Sequence, residues 1–184
     1  DYLIENGAHG MSPNGGDSEA PYLSVDERNA IIDVVLGTNG GRTPVLVGTS
    51  AHTVEETLQL NQHAQKAGAD CVFVHPGWGR SKLSIEEIVD FYDTICSQIE
   101  IPVMIHGTAD MDLAVVQTLL ERFPVITYIK EETSHGPKLR QYVDELRDRV
   151  TVFAPGLHYP GELGWGAMGV MPRCAAPRAH ACIF

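Results

Sequence analysis

The sequence predicts a parallel α/β fold, a TIM-type (β/α)8 barrel of which this chain carries an incomplete part. Three observations lead there. Short β-rich segments and amphipathic helical segments alternate without a break along all 184 residues, as one domain spanning 1–184; such alternation argues for βαβ units and a parallel sheet. The strands recur at intervals of roughly 20–35 residues, which fits a barrel better than an open sheet, with the doubly wound sheet as the alternative. The Gly-rich loop Asn14-Gly15-Gly16-Asp17 lacks the G-x-G-x-x-G order that a dinucleotide site needs.

A barrel of this kind takes about 250 residues. The first βα unit and the C-terminal helices are therefore expected to be missing. Asp1-Tyr2-Leu3-Ile4-Glu5-Asn6 reads as the tail of a helix with Gly7 as its C-cap, and Ala181-Cys182-Ile183-Phe184 reads as the first turns of another. A short strand is expected over Gly10 to Ser12. Ser24-Val25-Asp26-Glu27, Thr53-Val54-Glu55-Glu56 and Ser84-Ile85-Glu86-Glu87 each have the form of a capping box, so a helix starts at each. Glycines at 37, 40 and 41 end the first of these helices, and Gly68 ends the second. Asp112 caps a fourth, and Ser134-His135-Gly136-Pro137 opens a fifth with proline near its first turn. Between the helices, Pro44 to Gly48, Cys71 to Val74, Pro102 to Ile105, Val125 to Lys130, Val150 to Phe153 and Met168 to Met171 read as buried strands. Gly161 to Gly166 reads as a short helix.

In either parallel architecture, ligands bind where strands reach their C-terminal ends. That rule selects Asn14 to Glu19, Thr49 to His52, His75 to Trp78, His106, Lys130 to Glu132 and Pro155 to His158. Lys130 stands out. The chain has four lysines; Lys66 falls on the polar side of a helix, Lys82 in a loop and Lys138 in a helix's first turn, while Lys130 alone ends a strand. Burying an ammonium costs free energy unless it is paired or its pKa falls, and a lysine with a lowered pKa is a nucleophile towards carbonyl compounds. The plainer reading is that Lys130 emerges into solvent as its strand ends. His106 ends the preceding strand, and neighbouring strands lie about 5 Å apart, so the two side chains are expected to share one pocket. An imidazole there can move protons near neutral pH, or can simply be satisfied by a backbone carbonyl. The backbone of Gly15, Gly16, Asp17 and Ser18 can turn N–H groups towards a carboxylate. Glu19, Trp78 and Gly156 are the other candidates for holding substrate.

The net charge of −11 disfavours nucleic acid and anionic membranes as partners. No apolar run is long enough to span a bilayer. Cys71, Cys96, Cys174 and Cys182 form no C-x-x-C pair and read as free thiols of a cytoplasmic protein. The histidines show no metal-ligand spacing, so no metal site is expected.

These residues together resemble the dihydrodipicolinate synthase and N-acetylneuraminate lyase family. Ile129-Lys130-Glu131-Glu132 resembles its Schiff-base lysine segment. Gly10 to Glu19, followed by Leu23 and Asp26-Glu27-Arg28, resembles its G-T-T-G-E segment and the helix after it. Arg42 to Gly48, Ala67-Gly68-Ala69-Asp70, Pro76, Ile101-Pro102-Val103 and Gly166 to Met171 follow in the family's order. The resemblance implies a barrel whose lysine forms an imine with pyruvate or another 2-keto acid, in a homotetramer, without metal or organic cofactor. It also marks departures. The family's paired threonines correspond to Gly16 and Asp17, its proton-relaying tyrosine to His106, and a second tyrosine, from the neighbouring subunit, to Trp78. The synthase's arginine for its aldehyde substrate falls near Met111. Lys130-Glu131-Glu132-Thr133 without the tyrosine looks more like the branch that cleaves or dehydrates 2-keto-3-deoxy sugar acids. The expectation is a lyase of that kind, with Lys130 and His106 catalytic. Dihydrodipicolinate synthase proper and a non-catalytic 2-keto acid sensor on the same fold are the alternatives.

Overall fold

The computed structural model describes residues 1–184 except 77–82, 109, 134, 175–176 and 182–184. Six parallel strands follow one another in sequence order: β1 (Leu46–Gly48), β2 (Cys71–Val74), β3 (Val103–Gly107), β4 (Ile126–Glu131), β5 (Thr151–Ala154) and β6 (Gly169–Val170). Each pair is joined through a helix: α3 (Val54–Ala67), α4 (Ile85–Cys96), α5 (Leu113–Arg122), α6 (Gly136–Leu146) and α7 (Tyr159–Gly164). Ahead of the sheet lie α1 (Tyr2–Glu5), a 3-10 turn (Ala20–Tyr22) and α2 (Val25–Asn39); α8 (Pro177–Ala181) follows it. The strand order without a switch point is that of a barrel wall, and excludes the doubly wound alternative.

The predicted caps form. Ser24, Thr53 and Ser84 each accept a hydrogen bond from the backbone N–H three residues on, while Glu27, Glu56 and Glu87 reach back to the cap's own N–H. Asp112 accepts from the Val115 N–H, and Gly68 closes α3 in the left-handed conformation at φ 91°.

Two expectations at the chain's start are corrected. Gly10 to Ser12 forms no strand; Met11 makes a single parallel bridge to Val45. The cause is local: Pro13 has no N–H to donate, and Asn14 turns into the left-handed region at φ 57°. The first helix ends at Glu5 with Asn6 as C-cap, and Gly7, at φ 88°, stands one residue beyond. The last strand is also shorter than Met168 to Met171, covering Gly169–Val170 alone.

Strand alternation builds two apolar layers. Val72, Val74, Ile105 and Ile129 point outward into the large core against the helices, with Leu60 and Tyr92 among their partners. Cys71, Phe73 and Met104 point inward and gather Leu46, Tyr128, Phe153 and Met171. Burial on both faces explains why the strands read as unbroken hydrophobic runs. Burial also pushes the Cys71 and Cys96 thiols up to about 12, the state of unreactive cysteines.

One buried cation ties the loop after Met11 to the sheet. Arg28 on α2 donates to the Ser50 carbonyl at 2.8 Å and the Gly48 carbonyl at 2.9 Å, and its own carbonyl accepts from Asn14 Nδ2 at 3.1 Å. The loop therefore presses against Gly48, where a Cβ would stand 2.2 Å from the Asn14 carbonyl oxygen. Gly48→Ala should lower stability by about 1–3 kcal/mol through that overlap. Gly37→Ala, in helix α2 with open space around its Cβ, should instead gain about 0.5–1 kcal/mol. Thermal unfolding of the two variants checks both signs.

Candidate active site

The C-terminal ends of β3 and β4 meet in register, His106 opposite Lys130 and Gly107 opposite Glu131. Residues paired across parallel strands share a face, so His106 and Lys130 both point inward, as their neighbouring strand ends predict. Gly107 permits this fit, since a Cβ there would stand 2.9 Å from the Lys130 carbonyl oxygen. Lys130 is 8% exposed. It does not emerge into solvent, and it is not alone. The ladder continues one residue past β4, where the Glu132 N–H donates to the Gly107 carbonyl at 2.9 Å. Alternation then returns Glu132 to the face of Lys130. Its Oε2 lies 2.5 Å from Lys130 Nζ and 3.2 Å from His106 Nε2.

The electrostatics follow from these contacts. Burial pushes the Glu132 carboxyl up, but the contacts with His106 and Lys130 outweigh it and hold the group below the usual carboxylate range. Phe73 floors the pocket, its ring 4.6 Å from that of His106 and 5.6 Å from Lys130 Nζ. The His75 ring lies 5.7 Å from His106, and its Nε2 contacts Thr108 Oγ1 at 2.9 Å. Burial, and then the neighbouring His106, lower His75 to about 4 against the pull of Asp110, so His75 is a neutral imidazole at physiological pH.

Glu131 faces the other way. It is fully buried on the outer face and accepts from the Thr133 N–H at 2.8 Å and from the Thr133 hydroxyl. Lys138 also lies outside the pocket: half-buried on α6, it donates to the Thr108 carbonyl at 2.7 Å. Lys66 is exposed.

The loop from Gly15 to Glu19 divides. Gly16 sits beside the pocket, where a Cβ would come 3.9 Å from His106 Cε1. Asp17 forms a bidentate pair with Arg173, at 3.1 and 3.0 Å. This pair links the first loop to the segment after β6 and neutralises the acid. Ser18 spends its hydroxyl on the Gly15 carbonyl at 2.6 Å, closing the turn, and Glu19 is exposed. Gly156 stands beyond β5 at φ 85°, with its Cβ position 2.8 Å from the Pro172 side chain; a close approach of two backbones occupies it. Trp78 lies outside the described residues. Among the described residues, no group of three or more His, Cys, Asp or Glu side chains gathers that could hold a metal, and no helix is long and apolar enough to cross a membrane.

Two residues of the site went unassigned in the sequence. Glu132 had a signal, its two-residue spacing from Lys130, but the strand was expected to end at the lysine. Arg173 had none, since its partner lies 156 residues away.

The fold agrees with that of known proteins. A structure of YagE, a prophage protein of the dihydrodipicolinic acid synthase family from Escherichia coli K12 in complex with pyruvate, superposes with a TM-score of 0.93 at 27% identity, covering 99% of this chain and 64% of that one. By sequence, YagE, named as a candidate 2-dehydro-3-deoxy-D-gluconate aldolase, is 30% identical over 153 residues, 80% of this chain and 50% of its own length. The 4-hydroxy-tetrahydrodipicolinate synthase of Pelobacter propionicus is 31% identical over 160 residues, 84% of this chain and 54% of its own. The chain thus spans about half the length of the curated relatives it matches. With the dihydrodipicolinate synthetase family model matching residues 1–171 and the parallel barrel wall placing Lys130 at its C-terminal rim, the chain belongs to the dihydrodipicolinate synthetase family.

Proposed function

We propose that the protein is a cytoplasmic lyase, an aldolase or dehydratase, that acts on a 2-keto acid through a Schiff base on Lys130. One observation carries the reading. A lysine ammonium, 8% exposed, sits at a strand's C-terminal end with a carboxylate 2.5 Å from Nζ. Burying this charge is costly, and a purely structural lysine gains nothing from it. The amine attacks the ketone carbon, the carbonyl oxygen leaves as water, and the protonated imine draws electrons from a neighbouring bond. A C–C bond (aldol cleavage) or a C–OH bond (dehydration) can then break. His106, inward-facing beside the lysine, moves the proton at the substrate carbon. This chemistry asks for no metal or organic cofactor.

A 2-keto-3-deoxy sugar acid is the substrate class we favour. The similarity to YagE, by name a candidate 2-dehydro-3-deoxy-D-gluconate aldolase, supports it. So does Met111, which falls near the position of the synthase's arginine: it is buried to 1% exposure, and its carbonyl accepts from the Tyr142 hydroxyl. An apolar side chain buried there cannot bind a polar aldehyde substrate, which weighs against dihydrodipicolinate synthase proper. Gly15 and Gly16, with no side chains to obstruct them, remain the backbone donors for the substrate's carboxylate. The family resemblance extends the reading to a homotetramer.

Incubation with pyruvate or a 2-keto-3-deoxy sugar acid, then borohydride, should leave an adduct that mass spectrometry maps to Lys130 and that Lys130→Arg lacks. No adduct with any 2-keto acid would sink the lyase reading, and an adduct without turnover would favour a sensor. His106→Asn should cut kcat by about 100-fold or more while the adduct still forms. Unchanged turnover would remove His106 from the mechanism.

A further inference from the structure

Imine formation makes a demand that Lys130 cannot meet alone. The reactants are the ammonium of Lys130 and a ketone; the products are a protonated imine and water. Two of the three protons on Nζ must leave, and both end on the former ketone oxygen. Some group beside Nζ has to take each proton and give it up again. The family's relay uses a tyrosine whose place His106 holds here, so that hydroxyl is gone. Among the described residues, the inward face offers one candidate in contact with the nitrogen. Glu132 Oε2 lies 2.5 Å from Nζ, and the same oxygen lies 3.2 Å from His106 Nε2.

Resting on the Schiff-base reading above, we propose that Glu132 is a catalytic residue that carries both protons from Lys130 Nζ to the ketone oxygen, and that His106 holds its carboxylate in place through Nε2. Glu132 takes the first proton, leaving an amine with a free electron pair. That pair forms the C–N bond while the carbonyl π pair moves to oxygen, and Glu132 returns the proton there, giving a hydroxyl. The carboxylate then takes the second proton from nitrogen. The nitrogen pair forms the C=N bond, the C–O bond breaks, and the departing hydroxide takes the proton from Glu132 and leaves as water. Glu132 ends as the carboxylate it began as, now paired with a cationic imine.

Three features suit Glu132 to this work. The ladder bond from its N–H to the Gly107 carbonyl fixes its backbone. Its side chain keeps 31% exposure as a whole, while the oxygen that meets Lys130 and His106 is buried beside them, away from competing water. The second carboxylate, Glu131, is committed to Thr133 on the opposite face and does not compete. Among the described residues, the charges facing Glu132 are Lys130 on its own strand, His106 on β3, and Arg173, already paired with Asp17, beyond β6.

A counter-ion and a proton carrier give opposite outcomes when removed. A counter-ion holds the proton on the amine, so its loss frees the nucleophile and speeds trapping. A carrier's loss slows it. Borohydride trapping of pyruvate should therefore be about 100-fold slower in Glu132→Gln than in the parent protein. It should also be slow in Glu132→Ala and recover on addition of formate, which supplies a carboxylate to the vacated space, but not of chloride. If the glutamine variant does not fold, Glu132→Asp, whose carboxylate is drawn back by one methylene, should trap more slowly than the parent. Trapping in these variants as fast as in the parent, or slow trapping that formate does not speed, would overturn the role of Glu132 alone. No adduct even in the parent protein would overturn the Schiff-base reading and this role with it.

Discussion

Successive residues of a β-strand face opposite ways, and at the end of β4 that constraint sorts four consecutive side chains. Ile129 and Glu131 go outward, beneath the helices; Lys130 and Glu132 go inward. The register with β3 then sets His106 beside Lys130. A buried ammonium needs a partner, and the ladder bond between Glu132 and Gly107 supplies one on the same face. The cluster exists because a single strand end presents an acid and a base two residues apart. A one-residue slip of β4 would turn both away from the site.

The surroundings hold that strand end still. Tyr128, Phe153, Phe73 and Met104 fill the inner face behind it. On the outer face, Lys138 donates to the Thr108 carbonyl, and Thr108 contacts His75 through its hydroxyl. Arg28 anchors the first loop to the end of β1 and leaves Gly16 beside His106. The Asp17–Arg173 pair spans the outside of the site, from that loop to the segment after β6. Both residues are largely exposed, so the pair serves position more than stability.

Much of this was legible in the residues. Capping boxes at Ser24, Thr53 and Ser84 depend on local chemistry, and each formed where it was read. The strands were legible because a parallel sheet buries both faces and leaves an unbroken apolar run. Lys130 and His106 followed from the rule that sites lie at strand ends. The misses have physical causes. Pro13 and Asn14 ended a strand that hydrophobicity alone could not rule out at Met11. Glu132 was given no role because the strand was taken to stop at Lys130, whereas hydrogen bonding carried the ladder further. Asp17 read as part of a loop that turns backbone N–H groups towards a carboxylate, and only the tertiary fold brings Arg173 to its side chain.

One covalent bond and one ion pair are expected to meet at the same nitrogen, that of Lys130. A crystal structure of the protein soaked in pyruvate tests both. The account predicts continuous electron density from Lys130 Nζ to C2 of pyruvate, with Glu132 within hydrogen-bond distance of the imine nitrogen and His106 on the substrate's side. Pyruvate held without a covalent bond, or bonded to Lys138 instead, would contradict it.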